Sequence, residues 1–320
     1  MLELVELMPV QIRESLELSR IFEVRTEIQN IVICGMGGSG ISGDIIKNLG
    51  RDSKVPIEVV KESSVPGYVS ARTLAIIVSY SGETHESLAA FKECYRKGAM
   101  LVIVTTGGKL KFAAEQAGLE QQKMILVPRG LPPRQALPYL AFPILRTLHN
   151  LKIIQLNAND LKETIEAVSN KTFVDKAKLL ANHIGEKTPL IISSSKYSAV
   201  ATRWCTQINE NAKNFAFSAV LPEMTHNMIA GFARAPKHYH IVLLSDEKDD
   251  PLVQKQMAVV KDIIKQSGMG ITEIGLKGRS HMVKFFTAVF VGDLVSVMMA
   301  KKAGVNAMDT RIIEELKKKL

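Results

Sequence analysis

The chain has 320 residues, 46% of them apolar and 23% charged, with a net charge of +9. That length favours two domains and that composition supports a hydrophobic core in each, which excludes both a disordered segment and a small disulfide scaffold. The basic residues are scattered among acids and form no stripe interleaved with aromatics, and the chain has one Trp and six Tyr, so nucleic acid is not an expected partner; a positive field steering small anions is the simpler account.

At the N-terminus, MLELVELMPVQIRESLELSR is amphipathic with acidic residues throughout, unlike a leader peptide, and residues 1–29 are expected to form a helical segment. From residue 30 onward, strand-like and helix-like stretches alternate. The apolar runs NIVICGMG, LAIIVSYSG, MLVIVTTGG and KMILVP are near-continuous, with no alternation of polar and apolar residues, as expected for strands buried on both faces of a parallel sheet. Helices are predicted over 40–48, 84–97, 109–116 and 135–148, each opening just after the carboxyl end of a strand. The second half repeats this rhythm: a long helix over 159–183, a strand in PLIISSS, a helix over 199–213, a strand in HIVLLSD, a helix over 251–266, a strand in ITEIGLKG and a long helix over 282–302. The stretch 151–160 is the expected junction, giving domains at 30–150 and 151–305 and a tail at 306–320. No apolar run reaches the roughly 18 residues of a membrane span, so no membrane partner is expected. Cys34, Cys94 and Cys205 are odd in number and widely spaced, and read as reduced thiols of a cytoplasmic protein, not as a disulfide frame or metal site.

Two kinds of loop carry the chemistry. In CGMGGSG the glycines let backbone N–H groups approach an anion at a helix N-terminus. Gly35, Gly37 and Gly40 also satisfy a dinucleotide fingerprint, with Glu58 and Glu62 near the place of a ribose-binding acid, and a plain packing turn is a third reading. After the next strand, SYSGET presents Ser79, Ser81 and Thr84. Any one of them could be an ordinary helix cap, but three hydroxyls beside a glycine suit a phosphomonoester. TTGG adds a further small polar turn at the same sheet edge. In the second half, SSSKYS repeats the strand, hydroxyl loop and helix design.

SYSGET preceded by GMGGSG resembles the sugar isomerase (SIS) domain, whose loops hold a sugar phosphate. VPRGLPPRQALPYL resembles the stretch closing the first domain of the bifunctional phosphoglucose/phosphomannose isomerases, and the similarity continues through NENAK, LPEMTHN and the tail from 306 to 317. The resemblance implies an α/β fold of two SIS-type domains, each a parallel sheet flanked by helices. It implies a homodimer acting on a phosphorylated hexose, interconverting glucose or mannose 6-phosphate with fructose 6-phosphate through a cis-enediol, without metal or nucleotide cofactor. It places Gly37, Gly38, Ser39, Ser79, Ser81 and Thr84 on the phosphate and Pro133, Arg134 and Thr310 on the sugar. Glu210, in NENAK, becomes the base that moves the proton between C2 and C1, a task suited to a carboxylate; without the resemblance it would read as a solvated helix carboxylate. His226 and Lys317 become the ring-opening pair, with His226 given by the partner subunit and Lys317 placed by its distance of seven residues from Thr310. Arg134 would also face the enediolate, where its delocalised charge is suitable. Alternatives are an SIS isomerase or lyase for another sugar phosphate, or a non-catalytic sugar-phosphate sensor.

Overall fold

The computed structural model describes residues 1–19, 24, 26–234 and 237–319, which divide into two compact units. One comprises Leu7–Ile165; the other comprises Met1–Glu6 and Glu166–Leu320. Within the predicted N-terminal helical segment, α1 (Leu2–Glu6) and α2 (Met8–Leu16) are helical, while 20–23 and 25 lie outside the described residues.

The Leu7–Ile165 unit is built on five parallel strands, β1 (Asn30–Cys34), β2 (Ile57–Val60), β3 (Thr73–Ser79), β4 (Met100–Thr105) and β5 (Met124–Leu126), in the order β2-β1-β3-β4-β5. β3 is buried at every residue because helices cover both sheet faces, which is why its sequence shows no alternation. β2 was not foreseen: it is a short, half-exposed edge strand, and Glu58 interrupts its apolar pattern. The crossing helices are α3 (Gly37–Leu49), α4 (His85–Arg96), α5 (Gly108–Gln116) and α6 (Leu137–Asn150), within a few residues of expectation. Strand order reverses between β1 and β3, so the loops after these two strands open side by side at the carboxyl edge, the usual ligand crevice of such sheets.

The expected helix over 159–183 is two helices, α7 (Ala158–Val168) and α8 (Thr172–Ile184). Asn170 explains the break, since its side-chain oxygen accepts the Thr172 N–H at 3.0 Å and restarts the chain. The sheet of the other unit comprises β6 (Thr188–Ser194), β7 (Phe217–Leu221), β8 (Tyr239–Ser245) and β9 (Gly270–Gly275), all parallel, in the order β7-β6-β8-β9. Its helices are α9 (Ser198–Gln207), α10 (Pro251–Gln266), α11 (His281–Lys302) and α12 (Arg311–Lys319). α11 is the core helix, with every residue from Met282 to Ala300 buried. It is long and apolar enough by composition to cross a membrane, although Lys284 and Asp293 interrupt its apolar run. Both charges are paired inside this unit, Lys284 with Asp246 and Asp293 with Arg203.

Candidate active site

Three of the predicted segments meet at the carboxyl edge of the first sheet. α3 begins at Gly37, so its N-terminal N–H groups and positive dipole end face the crevice. Gly38 lies so close to the backbone of Pro133 and Arg134 that a Cβ there would stand 2.9 Å from the Arg134 nitrogen. Ser39 joins this loop to the next strand, its hydroxyl accepting the Tyr80 N–H at 3.1 Å. The loop after β3 is ordered by its own hydroxyls: Ser79 donates to the Thr84 hydroxyl and accepts the Gly82 N–H, each at 3.1 Å, and Ser81 accepts the Glu83 N–H at 3.2 Å. Gly82 adopts φ +71°, and a Cβ would fall 1.8 Å from the Gly107 carbonyl oxygen, so this turn admits only glycine. Ser39 and Ser79 are buried, Thr84 is half-buried and Ser81 is exposed. Arg134, only 4% exposed, sits in a short 3₁₀ turn, Pro133–Gln135, just before α6.

Tyr80 was not singled out from the sequence, yet it fastens this region. Its hydroxyl donates to the Pro128 carbonyl at 2.9 Å and accepts the Leu131 N–H at 3.0 Å, tying the loop after β3 to the segment leading into Arg134. Burial pushes its phenol pKa upward, so it stays neutral and can keep donating. The local signal was available, a tyrosine between two serines, but its partner lies far along the chain.

In the other unit, the predicted helix over 199–213 is α-helical only to Gln207. Ile208–Ala212 forms a π-helical turn with the half-buried Glu210 at its centre, followed by Lys213 at φ +55°. Such turns are found often at functional positions. Neighbouring groups pin it: the Asn211 amide donates to the Ser296 hydroxyl at 2.9 Å, and the Asn209 side-chain oxygen accepts the Ala216 N–H at 2.9 Å. One turn earlier, Arg203 grips Asp293 of α11 through two hydrogen bonds of 2.7 and 3.0 Å. Both groups are fully buried, and burial drives the Asp293 pKa up against the pull of the guanidinium. Thr310 caps α12, its hydroxyl donating to Glu314 at 2.6 Å, and Lys317 is exposed on that helix. His226 is exposed at the end of a 3₁₀ turn, Glu223–His226, that follows β7. A cavity of about 560 Å³ nearby, walled by Cys205, Phe217, Met228 and Phe232 among others, is mainly apolar and is lined by none of the predicted residues.

The SSSKYS loop after β6 passes through a 3₁₀ turn, Ser195–Tyr197, into α9, and the Ser193 hydroxyl donates to the Ser194 carbonyl at 3.1 Å. Next to it, at the end of β8, stands Asp246, 3% exposed, which accepts the Tyr197 hydroxyl at 2.6 Å, the Lys248 N–H at 2.8 Å and the Lys284 ammonium, with the Lys196 ammonium at 3.5 Å. Burial pushes the Asp246 carboxyl up, but the hydrogen bonds from Lys284, Tyr197 and the Lys248 N–H outweigh it and hold the pKa at about 2.

Paired α/β sheets with a hydroxyl- and glycine-rich crevice define the chain as a two-domain sugar isomerase (SIS) protein. The SIS domain model matches residues 26–123, and the model described as the bacterial phospho-glucose isomerase C-terminal SIS domain matches 173–320. The chain belongs to the bifunctional phosphoglucose/phosphomannose isomerase family. It is 34% identical to the protein of that name from Caldicellulosiruptor bescii, over 100% of this chain and 98% of that one. It is 33% identical to that from Thermoplasma acidophilum, over 91% and 89%. Among solved structures, a hypothetical protein from Thermus thermophilus has the same fold, with a TM-score of 0.75 at 17% identity, covering 98% of this chain and 89% of that one.

Proposed function

We propose that the protein interconverts glucose 6-phosphate and mannose 6-phosphate with fructose 6-phosphate through a cis-enediol. The observation that carries this reading is the meeting of Gly38, Ser39, the Ser79 to Thr84 loop and Pro133–Arg134 at one crevice, in a chain similar over its whole length to relatives of that name. The α3 N-terminus with Gly37, Gly38 and Ser39, and the loop with Ser79, Ser81 and Thr84, bind the phosphate. Pro133, Arg134 and Thr310 position the open-chain sugar. Glu210 takes the C2 proton and returns it to C1, while the Arg134 guanidinium stabilises the enediolate between the two transfers. His226, donated by the partner subunit of a homodimer, and Lys317 move the ring-oxygen and O1 protons as the hemiacetal opens. The scheme uses no metal and no nucleotide. In this reading 30–150 and 151–305 are the two domains and 306–320 the catalytic tail. The three buried free thiols fit a reducing, cytoplasmic setting.

The test is a panel of hexose phosphates, with fructose 6-phosphate formation followed by a coupled assay. Turnover of glucose and mannose 6-phosphates is expected, and turnover of neither would overturn the reading. A second measurement addresses the dimer. His226→Ala and Glu210→Gln chains, mixed under brief partial denaturation, should regain activity as hybrids with one intact site. Verified hybrids that stay inactive would return His226 to its own chain.

A further inference from the structure

Lys213 follows the π-helical turn in a left-handed conformation that non-glycine residues rarely adopt. From there its ammonium donates to the carbonyl of Glu210 and, at 2.7 Å, to the carbonyl of Asp309, ninety-six residues further along the chain. The first contact satisfies a carbonyl at the end of the turn. The second joins that turn to the start of the tail.

The far end of this link is ordered. The Asp309 carboxylate is gripped by the Arg311 guanidinium and accepts the Arg311 N–H at 3.0 Å. The next residue, Thr310, caps α12, its carbonyl accepting the Ile313 and Glu314 N–H groups at 2.9 and 3.0 Å. Yet α12 itself has no buried residue, so packing does little to fix it. Where a helix has no buried face, its placement depends on the few polar contacts at its base.

We propose that Lys213 is a positioning residue that holds the tail bearing Thr310 and Lys317 against the turn bearing Glu210. The inference rests on the isomerase reading for the roles of those three residues. A lysine suits the task because its compact ammonium offers three donors and can serve two carbonyls at once. Methionine has similar length and no donor, and arginine keeps the charge and the donors.

The experiment compares the full chain with Lys213→Met, Lys213→Arg, Lys317→Ala and the Lys213→Met, Lys317→Ala pair. Limited trypsinolysis followed by mass spectrometry should show the tail of Lys213→Met cut about 10–100-fold faster, the equivalent of one lost charge-assisted hydrogen bond. Its kcat should fall by a similar factor with KM little changed, and Lys213→Arg should restore most of both. In the Lys317→Ala background the further loss from Lys213→Met should shrink to about twofold or less, because residues acting as one unit are not additive. Tail cleavage at the wild-type rate would overturn the proposal, as would a Lys213→Met loss that persists undiminished beside Lys317→Ala. If Lys317→Ala alone keeps full activity while Lys213→Met frees the tail, the clamp stands and the catalytic role of Lys317 falls.

Discussion

β3 and β8 occupy the same place in their sheets, third along the strand order, and both end in serine, Ser79 and Ser245. After Ser79 the chain continues as Tyr-Ser-Gly-Glu-Thr and folds its hydroxyls and N–H groups into a turn beside the α3 N-terminus. After Ser245 it continues as Asp-Glu-Lys-Asp-Asp, and Asp246 turns inward to take up the Tyr197 hydroxyl and the Lys284 ammonium. One crevice is therefore left to receive an anion. The other already holds one, a carboxylate of the chain itself. Equivalent scaffolds diverge in function when a strand-end loop exchanges hydroxyls for an inward-turned carboxylate.

The sharpest way to break this comparison is to remove hydroxyls from a strand-end loop of each unit. Ser81→Ala with Thr84→Ala should cost roughly 3–6 kcal/mol in kcat/KM, two hydrogen bonds to a charged group at about 1.5–3 each. Ser194→Ala with Ser195→Ala, in the hydroxyl loop after β6 of the other unit, should change kcat/KM by less than about twofold, because that loop contacts no substrate in this reading. Steady-state kinetics on fructose 6-phosphate, with thermal melts to confirm folding, would check both, and equal losses would erase the distinction drawn here.

Somewhat smaller is the effect expected of Glu210→Gln, which keeps the shape of the side chain and removes its basicity. A loss of about 10²–10⁴ in kcat with a lesser change in KM is the value of positioned acid–base catalysis. Incubation with C2-deuterated glucose 6-phosphate should show label loss and ketose formation slowed together. Wild-type rates of both would leave the second unit without its proton carrier.

The smallest effect concerns stability in acid. The Asp246 pKa is lowered from its ordinary 3.8 to about 2. A carboxyl with a depressed folded-state pKa stabilises the fold fully above its unfolded pKa, and that contribution is lost as pH falls through the folded value. The window is therefore about pH 4 down to pH 2, and the contribution lost across it is about 2–3 kcal/mol. Urea midpoints for wild type and Asp246→Asn should converge across that range. A gap that stays constant would mean that Asp246 is not held as an anion.

What could be read from the sequence followed the apolar runs. β1, β3, β4, β6 and β8 are largely buried and write themselves as such runs, and the edge strands β5 and β9 are legible in KMILVP and ITEIGLKG, whereas the edge strands β2 and β7, half-exposed and carrying Glu58 and Ser218, are not. The phosphate-loop candidates were visible because glycines and hydroxyls cluster locally at strand ends. The π-helical turn was not, because INENA keeps a helical pattern and only the packing of Asn211 against Ser296 shows where the backbone shifts. Tyr80 and Lys213 were missed for a related reason. Their partners lie about fifty and ninety-six residues away, at Pro128 and Leu131 and at Asp309, and no local periodicity records such contacts.

The approach of Gly38 to Pro133 and Arg134 has a consequence for how such a chain can change over time. Because a Cβ at 38 would come within 2.9 Å of the Arg134 nitrogen, the two segments constrain each other although nearly a hundred positions separate them. A lineage that places any side chain at 38 must shift the backbone beneath the arginine in the same step, or lose the guanidinium's aim. The turn at Gly82 is bound to Gly107 in the same way, so each pair can vary only in concert.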